Sequence, residues 1–503
     1  MAQSYESTRN FELKAAASEV VLKGIADDGG LFVMRDLGER KVTINSLPGK
    51  TYMEIAEIVL SILLDDFSKD KIKECVRKAY TDKFSAKEIT PVAKVGENYV
   101  TELFHGPTSA FKDVALSILP HLMTASYDMN KMTGEIIILT ATSGDTGKAA
   151  LEGFKDVKGT KVVVFYPEGG VSKVQEAQMS TQEGENTFVC AIKGNFDDAQ
   201  TGVKNIFTNE KFNKEMAARN KFLSSANSIN IGRLVPQIAY YFYTYKKLIE
   251  KEAVKIGDKV NFAVPTGNFG NILAGYYAKM LGLPINKLIC ASNENNVLYD
   301  FINTGVYNKN RELHRTISPS MDILVSSNLE RLLYYLSGKD NERVKDYMEK
   351  LNTGGQYEIT DEMAEKLRED FYGGCVYKED AQQTIKKVYE EYGYLIDTHT
   401  AVAYKTLEDY KINTKDETVS VVLSTASPFK FARSVYESLY GRTNVDEFVL
   451  MEELSQKTKV SIPDNLKYIK NKKIRHSEVC TVNEMESFVV KASNELINEV
   501  KND

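Results

Sequence analysis

The 503-residue sequence is 43% hydrophobic and 27% charged, with a formal net charge of −6 and an isoelectric point near 5.7. That is a globular composition with room for about three domains and an ample core. The acidity argues against nucleic acid or an anionic membrane as partner, so an anionic ligand would need a local cationic site.

In chain order, residues 1–97 read as an N-terminal unit, and Met1–Arg9 lacks the apolar stretch of a secretory leader. Ala26-Asp-Asp-Gly-Gly-Leu-Phe32 forms a glycine turn. Apolar periodicity then predicts helices over 52–64 and 68–80, the second with Ser68 as N-cap. Pro91 and the Gly96 break mark the expected boundary. From residue 98 the pattern becomes strand, loop, helix, repeated. Strands are predicted over 136–140, 161–166, 187–192, 260–264, 287–291 and 419–423, and helices from 148, over 272–281 and over 429–440. Such alternation implies right-handed crossovers and a parallel sheet, with ligands outside the carboxyl ends of the strands. The stretch 305–400 reads as charged helices, including 328–337, 360–372 and 381–392, and so as an insertion or an outer helical layer. The basic run over 467–475 reads as a solvated surface.

Five scattered cysteines, none in a C-x-x-C pair, and five histidines without an H-x-x-x-H pair exclude a disulfide framework and a zinc site. No metal is expected. A reduced compartment fits, and with it a cytoplasmic location. No uncharged apolar run approaches the roughly 18 residues of a membrane span.

Five places could carry chemistry. The first is Lys112, which follows Leu103-Phe-His-Gly-Pro-Thr-Ser-Ala-Phe111 and opens the apolar run Val114-Ala-Leu-Ser-Ile-Leu119. At a helix start the dipole disfavours an ammonium, as burial would, and a neutral amine is a nucleophile. A lysine snorkelling to water is the plainer reading. The second is Thr142-Ser-Gly-Asp-Thr-Gly147, either an anion-binding helix start or an ordinary turn. It is not a Walker A loop, since Thr142 stands where that motif needs glycine. The third is Gly267-Asn-Phe-Gly-Asn271, whose glycines would let amides approach a phosphate and which lacks the dinucleotide G-x-G-x-x-G spacing. The fourth is Ser424-Thr-Ala-Ser-Pro428, with the Thr425 hydroxyl at a strand end. The fifth is Arg233, before a helix, which suits either a bound anion or a surface ion pair.

Taken together these stretches resemble the threonine synthases, pyridoxal-phosphate enzymes of fold type II, and most closely their long fungal and bacterial branch. The resemblance runs through Leu103–Asp113, Ala141–Gly147, Ser172–Met179, Ser225–Arg233, Val264–Asn271, Asn293–Tyr307, Ser318–Tyr334, His399–Ala403 and Leu423–Phe431. It also includes Tyr5–Arg9 and Gly24–Phe32. It implies an α/β, two-lobed fold like the tryptophan synthase β subunit, with open parallel-rich sheets flanked by helices. The N-terminal domain would span 1–97 and the catalytic core 98–445, with a small lobe over 128–225 and a helical insertion over 305–395. An extension over 446–503 would pack on that core.

Carried over residue by residue, Lys112 matches the lysine that links covalently to pyridoxal 5′-phosphate. Gly267, Asn268, Phe269, Gly270 and Asn271 match the loop that holds the cofactor's phosphate. Thr425 matches the hydroxyl facing the pyridine nitrogen, and Asp145 the position facing the ring oxygen, where related enzymes often carry asparagine. Ser143, Thr146, Lys173, Asn230 and Arg233 are the candidates for substrate carboxylate and phosphate. The implied reaction converts O-phospho-L-homoserine and water to L-threonine and phosphate in a monomer or homodimer. Two departures stand out: Ser427 replaces the histidine of the family's Thr-Ala-His-Pro pattern, and Pro120 should kink the helix after Lys112. A sister lyase of the same fold, a non-catalytic cofactor-binding paralogue and a P-loop nucleotide binder are the rival readings.

Overall fold

The computed structural model describes residues 3–494; the outer ends of the expected N-terminal unit (1–2) and C-terminal extension (495–503) lie outside the described residues. Two sheets organise the chain. The larger has six strands in the order Phe371–Cys375, Ile285–Ser292, Val260–Pro265, Ser420–Ser424, Asn98–Glu102 and Val92–Val95. All its pairings are parallel except the last, a hairpin closed at Gly96. Its central strands, Val-Asn-Phe-Ala-Val-Pro and Ser-Val-Val-Leu-Ser, are buried at every residue, as a parallel sheet covered on both faces requires. The smaller sheet is wholly parallel, in the order Glu478–Cys480, Thr187–Ile192, Thr160–Pro167, Glu135–Ala141 and Lys221–Ser225. On its face the thiols of Cys190 and Cys480 approach to 3.3 Å.

The two lobes are tied through the helix Ile231–Glu250, buried along nearly its whole length. It packs on the helices Tyr52–Leu63 and Gly270–Met280, and the Thr244 hydroxyl meets that of Thr101 in the large sheet at 2.9 Å. The N-terminal helices follow the sequence signals closely. Thr51 caps the first in a capping box with Glu54, and the Ser68 hydroxyl caps Lys69–Tyr80 by accepting from the Lys71 amide.

The expected boundary near residue 97 falls at the turn of the Val92–Val95/Asn98–Glu102 hairpin, and one apolar core runs from the N-terminal helices into the lobes of both sheets. The structure differs from the sequence expectations in two places. The stretch 305–395 is not purely helical. Val306–Asn308 pairs with Gln356–Glu358, and Phe371–Cys375 forms an edge of the large sheet. The helix predicted over 360–372 therefore ends at Asp370. The glycines that hid this strand are needed there, because a Cβ on Gly374 would lie 2.3 Å from the Thr406 methyl of the helix crossing it. Finally, the helix after Lys112 breaks completely: Lys112–Leu116 is followed by a separate helix, Leu119–Met129. Pro120 lies in the first turn of the second helix, where its missing N–H leaves no bond unmade.

Candidate active site

The loops at the carboxyl ends of the Glu135–Ala141, Val260–Pro265 and Ser420–Ser424 strands open onto one cavity of about 1320 Å³. Lys112, Ser143, Thr146, Arg233, the whole Gly267–Asn271 loop and Thr425 line it. Lys112 is the first residue of its helix, largely buried. Its Nζ donates to Ser320 Oγ at 3.3 Å, lies 3.6 Å from Asp145 Oδ2, and stands 5.1 Å from the centre of the Phe111 ring. Burial lowers its pKa to about 8, with Asp145 opposing and the Arg233 and Lys430 charges adding to the fall. The amine is therefore available in neutral form near neutral pH.

Asp145, expected to face a cofactor ring, is buried beside the Lys112 amine, with its Oδ2 3.6 Å from Nζ. Its Oδ1 accepts from Lys430 at 2.8 Å and Gln175 at 2.9 Å, and its Oδ2 accepts from Ser320 at 3.3 Å. Burial alone would raise its pKa, but Lys430 and then Lys112 hold it well below the ordinary carboxylate value. Gly144, at φ 128°, lets Gln175 reach it, since a Cβ there would fall 2.4 Å from the Gln175 amide.

The Gly267–Asn271 loop is built to present its amides. Behind it, Ser326 Oγ donates to the Gly267 carbonyl at 2.8 Å, while the amide and Nδ2 of Asn328 both donate to the Asn268 carbonyl. Phe269 takes a left-handed conformation (φ 62°) just before the helix Gly270–Met280. Among the described residues the amides of Gly267 to Gly270 donate to no protein acceptor. Asn271 accepts the Tyr240 and Tyr241 hydroxyls through its Oδ1, which leaves its buried Nδ2 without a partner. Free amides at a helix start, beside an orphaned buried donor and opposite a lysine of lowered pKa and a free threonine hydroxyl, fit a phosphorylated pyridine aldehyde.

Arg233 is 2% exposed. One of its nitrogens donates to the Ala226 carbonyl at 2.7 Å, its Nε has no partner, and no carboxylate pairs with it among the described residues. Burial lowers its pKa to about 10, so it stays cationic and awaits an anion. Two candidates are not brought to the cavity. Lys173 points outward, with its side chain 64% exposed, and pairs with Asp446 at 3.4 Å. Asn230 caps the helix Ile231–Glu250, and its Nδ2 is used by the Val21 and Ser225 carbonyls. Ser427, the sequence departure, is buried and caps the short turn Pro428–Phe431 through the Phe429 amide.

Several residues of this site lie in stretches that carry the resemblance but receive no role from the sequence. Ser320 bridges Lys112 and Asp145, and its amide donates to His399 Nε2 at 3.2 Å. His399 Nδ1 meets Asp397 Oδ1 at 3.0 Å, which fixes the ring with Nδ1 protonated and Nε2 accepting. Lys430 is fully buried, and in the sequence it is a lysine held between two phenylalanines at the end of the Leu423–Phe431 stretch.

Comparison with known proteins places this geometry among relatives. The family profile described as Threonine synthase N terminus matches residues 4–80, Pyridoxal-phosphate dependent enzyme matches 89–425, and Threonine synthase, C-terminal matches 400–489. The Saccharomyces cerevisiae protein named Threonine synthase is 36% identical over 93% of this chain and 95% of its own. Human Threonine synthase-like 1 is 40% identical over 84% of this chain, which spans only 58% of that protein's length. The crystal structure of PLP-bound threonine synthase from Brucella melitensis superposes with a TM-score of 0.86 at 34% identity, covering 98% of this chain and all of that one. The yeast threonine synthase structure gives the same TM-score at 33% identity, over 98% of both chains.

Proposed function

The chain belongs to the threonine synthase family of pyridoxal-phosphate-dependent enzymes, and we propose that it converts O-phospho-L-homoserine and water to L-threonine and phosphate. The observation that carries this reading is the pair of anion sites flanking Lys112. The unpartnered amides of Gly267–Gly270 serve one phosphate, and Arg233, buried without a carboxylate, serves a second anion. The amides suit the phosphate of the cofactor, and Arg233 suits one of the two anionic groups of a phosphorylated amino-acid substrate. When bound, pyridoxal 5′-phosphate would supply the conjugated system that stores negative charge during proton removal.

The chain's own groups do the rest. Lys112 would hold the cofactor and, once displaced by substrate, shuttle protons at the substrate's α and β carbons. Thr425, on the cavity wall, would offer a hydroxyl to the ring nitrogen without imposing a charge on it. Ser143 and Thr146, at the start of the helix Asp145–Phe154, would orient the substrate with Arg233. We further propose a cytoplasmic monomer or homodimer.

The test is purified protein supplied with cofactor and O-phospho-L-homoserine, with threonine and phosphate quantified together. Equal release of both supports the assignment, and ammonia with a keto acid would replace it by a sister lyase. Lys112→Ala is expected to abolish turnover and the visible absorbance of lysine-linked cofactor while leaving the circular dichroism unchanged.

A further inference from the structure

Lys430 has no solvent exposure at all. A buried ammonium needs partners, and this one has two oxygens: Asp145 Oδ1 at 2.8 Å and the Thr108 carbonyl at 2.9 Å. Asp145 is thereby divided between two lysines. Its Oδ1 is taken by Lys430 and Gln175, and its Oδ2 faces Ser320 and, at a longer 3.6 Å, Lys112. A lone carboxylate beside Lys112 would pair with it and hold its proton. With Lys430 in contact, the same carboxylate is already matched by a nearer cation.

We propose that Lys430 is a positioning residue that occupies Asp145 and so leaves the Lys112 amine free to give up its proton and act. The other charged groups around Lys112 do not replace it. Arg233 adds repulsion from the cavity side. Asp113 turns its carboxylate to the amide and hydroxyl of Thr108, at 2.8 and 2.6 Å. His399 reaches Ser320 only through that residue's backbone amide. The pairing also explains why an aspartate is tolerated at 145, beside the working lysine. Its charge is cancelled by the Pro-Phe-Lys-Phe turn, which follows the Thr425 strand end in the chain.

The inference rests on the reading of Lys112 as the reactive amine. The experiment is trace acetylation of the full chain before cofactor is added, with acetic anhydride over a pH series and Lys112 labelling read by peptide mass spectrometry. Lys430→Met is expected to move the midpoint of Lys112 labelling upward by about one pH unit, and Lys430→Arg to leave it near the wild-type value. An unmoved midpoint in a folded Lys430→Met protein overturns the proposal. Should that variant fail to fold, Asp145→Asn is compared with Asp145→Asn/Lys430→Met: because Lys430 acts through the Asp145 carboxylate, the two midpoints should nearly coincide, and a clear further rise in the double variant overturns the proposal. Failure of the underlying reading looks different: Lys112→Ala would retain the visible band of lysine-linked cofactor.

Discussion

Among the described residues no carboxylate compensates the buried charge of Arg233, and its Nε has no partner. A buried, unpaired cation destabilises the fold that holds it and is kept for what it binds. Arg233→Met is accordingly expected to raise the thermal unfolding midpoint of the cofactor-free protein. The same variant should weaken substrate about ten- to a hundred-fold, the worth of one charge-assisted hydrogen bond, read as a rise in KM against a smaller change in kcat. At this scale the sequence is uneven. Lys112 is legible because a lysine entering an apolar run after a Gly-Pro turn is anomalous on its own terms. Arg233 is legible only as one of two equal readings, since burial decides between them. Ser320 and Lys430 are not legible, because each acts through a contact more than 170 positions away in the chain. Lys173 fails for the converse reason: a lysine at a helix start can as well point outward, and this one does.

Among elements, the closest approach that matters is between Lys112–Leu116 and Asp145–Phe154. A Cβ on Gly153 would fall 2.1 Å from the Leu116 carbonyl oxygen. Gly153→Ala must therefore push apart the two helices that bring Lys112 and Asp145 together. We expect a loss of about 1–3 kcal/mol, the usual penalty of overpacking, in urea unfolding, with a parallel fall in the rate of cofactor uptake. Strands and helices with strong periodicity, such as Thr187–Ile192 and Lys69–Tyr80, are readable from local pattern and capping. The Phe371–Cys375 strand is not, because its two glycines answer to neighbours that pack against it rather than to its own propensity.

For the whole molecule, pH acts through burial. His121, in the helix Leu119–Met129, has its pKa lowered from 6.5 to about 4 by burial, with Lys83 and Lys78 adding to the fall. The unfolded chain therefore takes a proton that the folded chain refuses. Stability from this group is complete above pH 6.5 and drains away as pH falls toward 4. His121→Gln is expected to flatten the pH dependence of the unfolding midpoint across that window, measured by calorimetry. The α/β class with a parallel sheet is readable from alternating strands and helices and the two lobes only from the family resemblance, whereas the order of strands in each sheet is in neither, since order is a matter of long-range pairing. That order has a consequence during synthesis. The Ser420–Ser424 strand lies between Val260–Pro265 and Asn98–Glu102, so the large sheet cannot close until the ribosome has released residue 424. Until then the Lys112 segment and the glycine loop belong to two unjoined halves. Thr187–Ile192 waits longer still, its apolar edge uncovered until Glu478–Cys480 emerges. The nascent chain thus carries two unpaired strand edges through most of its translation, which makes it a natural client for chaperones that shield such edges.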